Sequence, residues 1–303
     1  MKLLITGCIP RSEALFRELE AMGHELLYIP EERVSLSELG IDPAPFEGVV
    51  CNQLFLYNDI RDFTSLRFMQ LSTAGLDRIP LGIVRERGIE LHNAGSVYAV
   101  PMAEFAVGGV LQVYKKSLWF AKNRDARLYQ KTRDLRELTG KTVCIIGCGH
   151  VGHACAERFA AFGCRVIGVN RTMREDPAFE RIVPLPELDT VLPDADIVIL
   201  SIGLTEETAH FFDRSCFARM KSDAVFVNVA RGALVEPGAL IGYLRENPAA
   251  SAVIDVYETE PLPLSDPLWD IPNAILTPHN SFSGDMVQSR LNALIAENIR
   301  AQG

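Results

Sequence analysis

Thr142-Val143-Cys144-Ile145-Ile146-Gly147-Cys148-Gly149-His150-Val151-Gly152 is the stretch that decides the fold. Val143 to Ile146 form an apolar run of strand length that passes straight into a Gly-Xaa-Gly-Xaa-Xaa-Gly turn, and a helical pattern of Ala154, Ala156, Phe159 and Ala160 follows. In that setting the first glycine permits a tight turn, the second lets backbone approach a pyrophosphate, and the third lets the helix pack on the strand. The helix N-terminus then faces the phosphates with its unpaired N–H groups. A glycine-rich turn formed by chance is the plain alternative, and the strand before it and the helix after it weigh against that. Gly147, Gly149, His150, Val151 and Gly152 are therefore the first candidate residues for a dinucleotide site.

Outward from this loop, apolar runs continue the βαβ rhythm at Arg165–Val169, Ile197–Ser201, Ala224–Asn228 and Ala252–Val256, with a helix expected over Val151–Phe162. An earlier series of the same kind runs through Lys2–Thr6, Glu13–Met22, Leu26–Ile29, Gly48–Cys51 and Phe68–Leu71. Strands that alternate with helices favour a parallel sheet covered on both faces. Val97–Tyr129 has no proline after Pro101 and is apolar at Phe105, Val107, Val110, Leu111, Tyr114 and Leu118, which reads as one long helix. Asn280–Arg300 also reads as helical. No repeat of solenoid period and no low-complexity tract is present.

A chain of 303 residues suits two domains, and 48% hydrophobic against 23% charged residues is ordinary for a globular protein. Its 30 basic and 39 acidic residues leave a formal charge of -9, which repels nucleic acid and anionic lipid. The seven cysteines are odd in number and lack CxxC or metal-type spacing, so they read as buried thiols in a reducing compartment, and no metal is expected. The opening MKLLITGCIP holds too short an apolar run for a signal peptide or a membrane span. A soluble, cytoplasmic chain without nucleic-acid or membrane partners is expected.

At the end of the strand after the glycine loop stand Asn170-Arg171-Thr172, where an NAD-binding domain normally offers an acid to the ribose hydroxyls. Asn170 brings no charge against a 2′-phosphate, Arg171 can pair with one, and Thr172 can donate a hydrogen bond, so NADP is expected to be preferred, with NAD possible. A solvated arginine on a surface turn is the plain alternative for Arg171. Three more polar residues follow apolar runs: Arg231 after Val225–Ala230, Glu260 after Asp255-Val256, and His279 in Leu-Thr-Pro-His. Strand ends of a doubly wound sheet converge on its ligand crevice.

Taken together, Ser72-Thr73-Ala74-Gly75-Leu76-Asp77, Asn93 through Ala103-Glu104, the glycine loop, Asn228-Val229-Ala230-Arg231-Gly232, Asp255-Val256-Tyr257-Glu258-Thr259-Glu260-Pro261 and Pro278-His279 resemble the D-isomer-specific 2-hydroxyacid dehydrogenases over essentially the whole chain. The chain is similar to glyoxylate/hydroxypyruvate reductases and to phosphoglycerate dehydrogenases. The resemblance implies an Arg231, Glu260, His279 active site in which hydride moves between a nicotinamide and a 2-keto acid. His279 would supply the proton to the carbonyl oxygen, and a carboxylate partner such as Glu260 would orient the ring and favour its protonated form. Arg231 would bind the substrate carboxylate with its planar fork. Glu258 is the competing acid, and the Glu-Xaa-Glu-Pro pattern favours Glu260. The family motif further implies that Asp255 contacts the nicotinamide carboxamide and that backbone at Ala74 and Gly75 receives the substrate anion. Thr205 and Ala230 complete the cofactor candidates, and Asn52 and Asn280 the substrate candidates. His150 reads as exposed beside the phosphates, and His92 and His153 receive no role.

Two stretches depart from the family pattern. Ile202-Gly203-Leu204-Thr205 stands where a Pro-Leu-Thr segment is usual, and Asn280-Ser281-Phe282 follows His279 where an aliphatic and small residues are common. Phe282 is a candidate for narrowing the pocket. No regulatory domain is expected after the terminal helix, so serine feedback is not expected. The expected architecture is α/β, with two doubly wound (Rossmann/flavodoxin-like) domains and a cleft between them. Residues 1–95 plus 281–303 would form a discontinuous substrate (catalytic lid) domain, and 96–280 a Rossmann NAD(P)-binding domain including a dimerisation arm, so a homodimer is expected. The rivals are a phosphoglycerate dehydrogenase-like enzyme and a nucleotide-sensing binding protein on the same fold.

Overall fold

The computed structural model describes residues 1–302. It contains twelve strands: β1 (Lys2–Thr6), β2 (Glu25–Ile29), β3 (Gly48–Cys51), β4 (Phe68–Leu71), β5 (Glu90–His92), β6 (Thr142–Ile146), β7 (Arg165–Asn170), β8 (Arg181–Pro184), β9 (Ile197–Leu200), β10 (Val225–Asn228), β11 (Ser251–Ile254) and β12 (Ala274–Leu276). The helices are α1 (Glu13–Ala21), α2 (Leu81–Glu86), α3 (Gly95–Tyr114), α4 (Ser117–Asp125), α5 (His150–Ala161), α6 (Leu188–Val191), α7 (Arg214–Arg219), α8 (Ala239–Glu246) and α9 (Val287–Arg300). Two compact units result, one of Met1–Tyr98 with the segment from Gly284 onward, the other of Ala99–Ser283. The expected boundaries, after residues 95 and 280, lie a few residues earlier.

In the first unit five parallel strands are ordered β2-β1-β3-β4-β5. This is the flavodoxin-like order, with its switch point between β1 and β3. Leu15, Phe16 and Leu19 of α1 pack with Leu291, Ile295, Ala296 and Ile299 of α9 in one core cluster. The terminal helix therefore completes the first unit's core. It begins at Val287, not at Asn280 as the pattern suggests, because residues 280–283 are folded as a turn closed by Ser283 N–H on the Asn280 carbonyl.

The second unit is a seven-stranded parallel sheet, β12-β11-β10-β9-β6-β7-β8, which is the Rossmann order extended by one strand. Strands β6, β9 and β10 are buried along their whole length, which explains why they read as unbroken apolar runs and not as alternating ones. On one face Phe212, Phe217, Phe226 and Tyr243 form an aromatic cluster with ring centroids 4.8–5.2 Å apart. On the other, Ala103, Ala106, Val107 and Val110 of α3 pack on Val227 and Val253. By length and composition α3 would suffice to cross a membrane, yet these residues are part of the unit's core.

The single helix expected over Val97–Tyr129 is instead two. Lys116 takes a left-handed backbone (φ 51°), ending α3 and starting α4. The break is held from outside: Lys115 Nζ donates to the Arg136 carbonyl at 2.8 Å, Lys116 Nζ pairs with Asp134, and Arg136 lies over the Tyr114 ring. No proline or glycine marks the site, so the local pattern carries no sign of it.

Because Phe226 is fully buried against two other rings, Phe226→Ala is expected to cost about 3–5 kcal/mol of stability, read from urea unfolding midpoints. A cost under about 1 kcal/mol would contradict this account of the core.

Candidate active site

In the second unit, the segments following β6, β7, β9, β10, β11 and β12 carry all of the cofactor and catalytic candidates, at the C-terminal edge of one parallel sheet. The glycine loop leaves β6 with Gly147 at φ 100°, where a Cβ would stand 2.5 Å from the Ile202 amide nitrogen. Ser201 Oγ donates to the Gly147 carbonyl at 2.6 Å, so the start of the loop after β9, Ser201 and Ile202, is packed directly on the glycine turn. A Cβ on Gly152 would lie 2.0 Å from the Gly147 carbonyl oxygen. At Gly149, by contrast, a Cβ would meet nothing within 4 Å. Gly149 caps α5, no side chain caps the helix in its place, and Gly149 and His150 are exposed. An exposed, uncapped helix N-terminus with room for a group above Gly149 fits a pyrophosphate.

Asn170 ties this loop to the end of β7: its Oδ1 accepts from Cys148 N–H at 3.3 Å and its Nδ2 donates to the Thr172 carbonyl at 2.7 Å. Arg171 extends into solvent and pairs only loosely with Glu207, at 3.5 Å between two side chains more than 70% exposed. Thr205 Oγ1 lies 3.2 Å from Thr208 Oγ1 and accepts from Thr208 N–H, closing its own turn. Burial pushes the Cys148 thiol up to about 11, so the cysteine inside the glycine loop is a small apolar filler and not a nucleophile.

The two candidates most distant in sequence from this loop meet each other. His279 Nδ1 lies 2.7 Å from Glu260 Oε2, and Glu260 Oε1 accepts from Tyr257 N–H at 3.0 Å. Glu258 turns elsewhere, to His210 Nε2 at 2.9 Å. His279 has a left-handed backbone (φ 50°), unfavourable for a residue with a Cβ, and its N–H is held by the Asp255 carbonyl at 2.7 Å. Phe282 stands edge-on to the imidazole, ring centroids 5.9 Å apart.

Asp255, expected at the nicotinamide carboxamide, stands just past β11 and is held by hydrogen bonds from the His279 loop. Its side chain has no exposed surface; Oδ1 accepts from Thr277 Oγ1 at 2.6 Å and from Asn280 N–H at 2.8 Å, and Oδ2 from Ser281 N–H at 2.8 Å. The carboxylate shapes the loop that carries His279, because a buried carboxylate needs several donors. Tyr257 braces the same loop by donating to the Thr277 carbonyl at 2.9 Å, and burial pushes its hydroxyl up to about 12, so it remains a donor.

Arg231 follows β10 on a turn closed by Asn228, whose Oδ1 accepts from Ala230 N–H and whose Nδ2 donates to the Arg231 carbonyl. A Cβ on the next residue, Gly232, would stand 1.9 Å from the Tyr257 carbonyl carbon. Backbone contact thus brings the Arg231 turn against the Tyr257-Glu258 segment that leads to Glu260. Sequence reasoning missed Asn228, Thr277 and Gly232 as organisers of this edge; each flanks a singled-out residue, but none has chemistry that announces the role.

In the first unit, Asn93 Nδ2 donates to the Ala74 carbonyl at 3.0 Å and Thr73 Oγ1 to the Gly75 carbonyl at 3.3 Å, which fixes the Ala74-Gly75 turn after β4. Asn52, after β3, accepts from Arg78 Nη1 at 3.0 Å. Its backbone N–H and that of Gln53 are held by the buried Glu32 carboxylate.

The profile of the D-isomer specific 2-hydroxyacid dehydrogenase NAD-binding domain matches residues 107–281. The glyoxylate reductase of Korarchaeum cryptofilum is 32% identical over 241 residues, 78% of this chain and 73% of that protein. The glyoxylate/hydroxypyruvate reductase A of Arabidopsis thaliana is 30% identical, over 80% of this chain and 77% of its own. A crystal structure of a glyoxylate reductase from Paecilomyes thermophila superposes with a TM-score of 0.84 at 26% identity, covering 99% of this chain and 94% of that one. The chain belongs to the D-isomer specific 2-hydroxyacid dehydrogenase family and is an NAD(P)-dependent oxidoreductase.

Proposed function

We propose that this enzyme reduces a small 2-keto acid of the glyoxylate or hydroxypyruvate class to the D-2-hydroxy acid, with NADPH preferred over NADH. The observation that carries the reading is the His279–Glu260 pair, held at 2.7 Å at the same sheet edge as the glycine loop. The bound reduced nicotinamide supplies the hydride that the carbonyl carbon accepts. As that carbon–hydrogen bond forms, the carbonyl oxygen gains the electron pair of its π bond and takes a proton from His279 Nε2. Glu260 on Nδ1 fixes which ring nitrogen faces the substrate. Arg231 binds the substrate carboxylate, with Asn280 as a further substrate contact. Phe282, against the imidazole, restricts the substrate side chain.

For the cofactor, Gly147, Gly149, His150, Val151 and Gly152 would receive the pyrophosphate, with Thr205 and Ala230 lining the site, and Asn170, Arg171 and Thr172 the 2′-phosphate. An exposed pair such as Arg171–Glu207 is worth at most about 1 kcal/mol, so a phosphate displaces the glutamate easily. All seven cysteines are free thiols, which suits the cytoplasm. A second copy of this chain is the proposed partner: Leu118, Phe120, Leu128, Tyr129 and Leu135 expose large apolar surface on and just after α4.

A panel of keto acids should include one that drives NADPH oxidation, and His279→Ala should lower that kcat at least about 100-fold, the usual worth of a general acid. No turnover with any keto acid would sink the substrate reading. Arg171→Ala should raise the KM for NADPH about tenfold while leaving NADH almost unchanged, as expected for one charge-assisted contact; equal changes remove the 2′-phosphate role. For the dimer, sedimentation of the wild type and of a Leu128→Glu, Tyr129→Glu variant is decisive: the variant should be monomeric, and a monomeric wild type refutes the assembly.

A further inference from the structure

Between Asn170 and Asp176 the chain makes an exposed loop in which Arg171, Thr172, Met173, Arg174 and Glu175 are all solvent-facing. Its first end is tied to the glycine loop by Asn170. Its other end is tied more heavily. The Asp176 carboxylate, only 7% exposed, lies 2.9–3.0 Å from His153 Nδ1, accepts from Arg174 Nη2 at 2.9 Å, and accepts from Ala178 N–H at 3.1 Å. His153 belongs to the first turn of α5, one residue after Gly152 of the glycine motif. Immediately beyond, Phe179 enters the core.

A half-exposed histidine on a cofactor-site helix thus reaches across to a buried carboxylate at the foot of the recognition loop. Nothing in the hydride or proton chemistry uses it. Burial alone would raise the Asp176 carboxyl, yet the His153 and Ala178 hydrogen bonds and the Arg174 charge hold it below the ordinary carboxylate range. The network is satisfied at every oxygen and spans the two segments that would contact the adenosine half of the cofactor.

We propose that Asp176 and His153 are positioning residues for cofactor selection: they hold the 171–175 loop in one shape, so that Arg171 meets a 2′-phosphate without first having to be ordered. The inference rests on the NADPH reading given above. A flexible loop must be ordered when ligand binds, at a cost in conformational entropy that weakens affinity. A loop already pinned at both ends avoids most of that cost, and the benefit falls on the ligand that the loop touches. NADH, with no phosphate at that point, has little to lose.

The test is calorimetric titration of the whole enzyme with NADPH and with NADH, without keto acid. Asp176→Asn and His153→Gln should each raise the NADPH Kd about tenfold, the worth of a charge-assisted hydrogen bond, and their combination should do no more. NADH Kd should change less than about twofold, since it lacks the group the loop recognises. Adding Arg171→Ala to Asp176→Asn should bring little further loss. Equal weakening of both cofactors, or additive losses, would mean a merely structural pair and overturn the proposal. Tighter NADPH binding by Asp176→Asn would also overturn it, by making Asp176 a restraint on Arg174. His153→Gln removes the helix side while leaving Asp176 on Arg174, and it stands at a half-exposed position where folding is little affected. Arg171→Ala alone separates the two readings: if it spares NADPH, the NADPH preference itself fails, whereas if it weakens NADPH and the anchor variants do not, only this proposal fails.

Discussion

A carboxylate with no exposed surface shapes the loop that carries His279. Asp255 collects the Thr277 hydroxyl and the amides of Asn280 and Ser281, while its own carbonyl receives the His279 amide. Buried charge is tolerable only where donors converge on it, and the chain meets that demand by wrapping the His279 loop around the end of β11. The left-handed backbone at His279 follows from the same wrapping.

Close backbone approach is the second constraint, and it acts twice at this edge. The Gly147 turn is pressed against the loop after β9, and Gly232 against the loop after β11. Side chains are excluded where segments must touch, which converts separate strand ends into one surface. Gly149 differs from both: a Cβ there would meet nothing within 4 Å, and no side chain caps the helix that starts beside it.

Strands β1, β3 and β4 were legible to the residue, and β6, β9, β10 and β11 to within two residues, because buried parallel strands are short apolar runs with sharp polar ends. The positions of the glycine loop, Arg231, Glu260 and His279 beyond strand ends were legible for a related reason, since each follows such a run. The short strands β5, β8 and β12 were less distinct. Glu90-Leu91-His92 and Arg181–Pro184 carry too few apolar residues to stand out, and only their pairing with β4 and β7 makes them strands. The division of α3 from α4 was illegible, since Lys116 is stabilised by residues some twenty positions away. The inward hydrogen bonds of Asp255 were also illegible, since a motif reports that an acid is needed, not which way it faces.

Sequence alone determined the main alternation of strands and helices, the glycine loop, the lack of an acid at Asn170, and the residue types that follow the strands, because hydrophobic period, glycine spacing and side-chain chemistry are local properties. Only the tertiary structure decided which carboxylate meets His279, that Asp255 points inward, that Glu258 goes to His210, and that His153 reaches Asp176. Those are choices among chemically equivalent partners, and they are made by which backbone segments the sheet edge brings within hydrogen-bond reach.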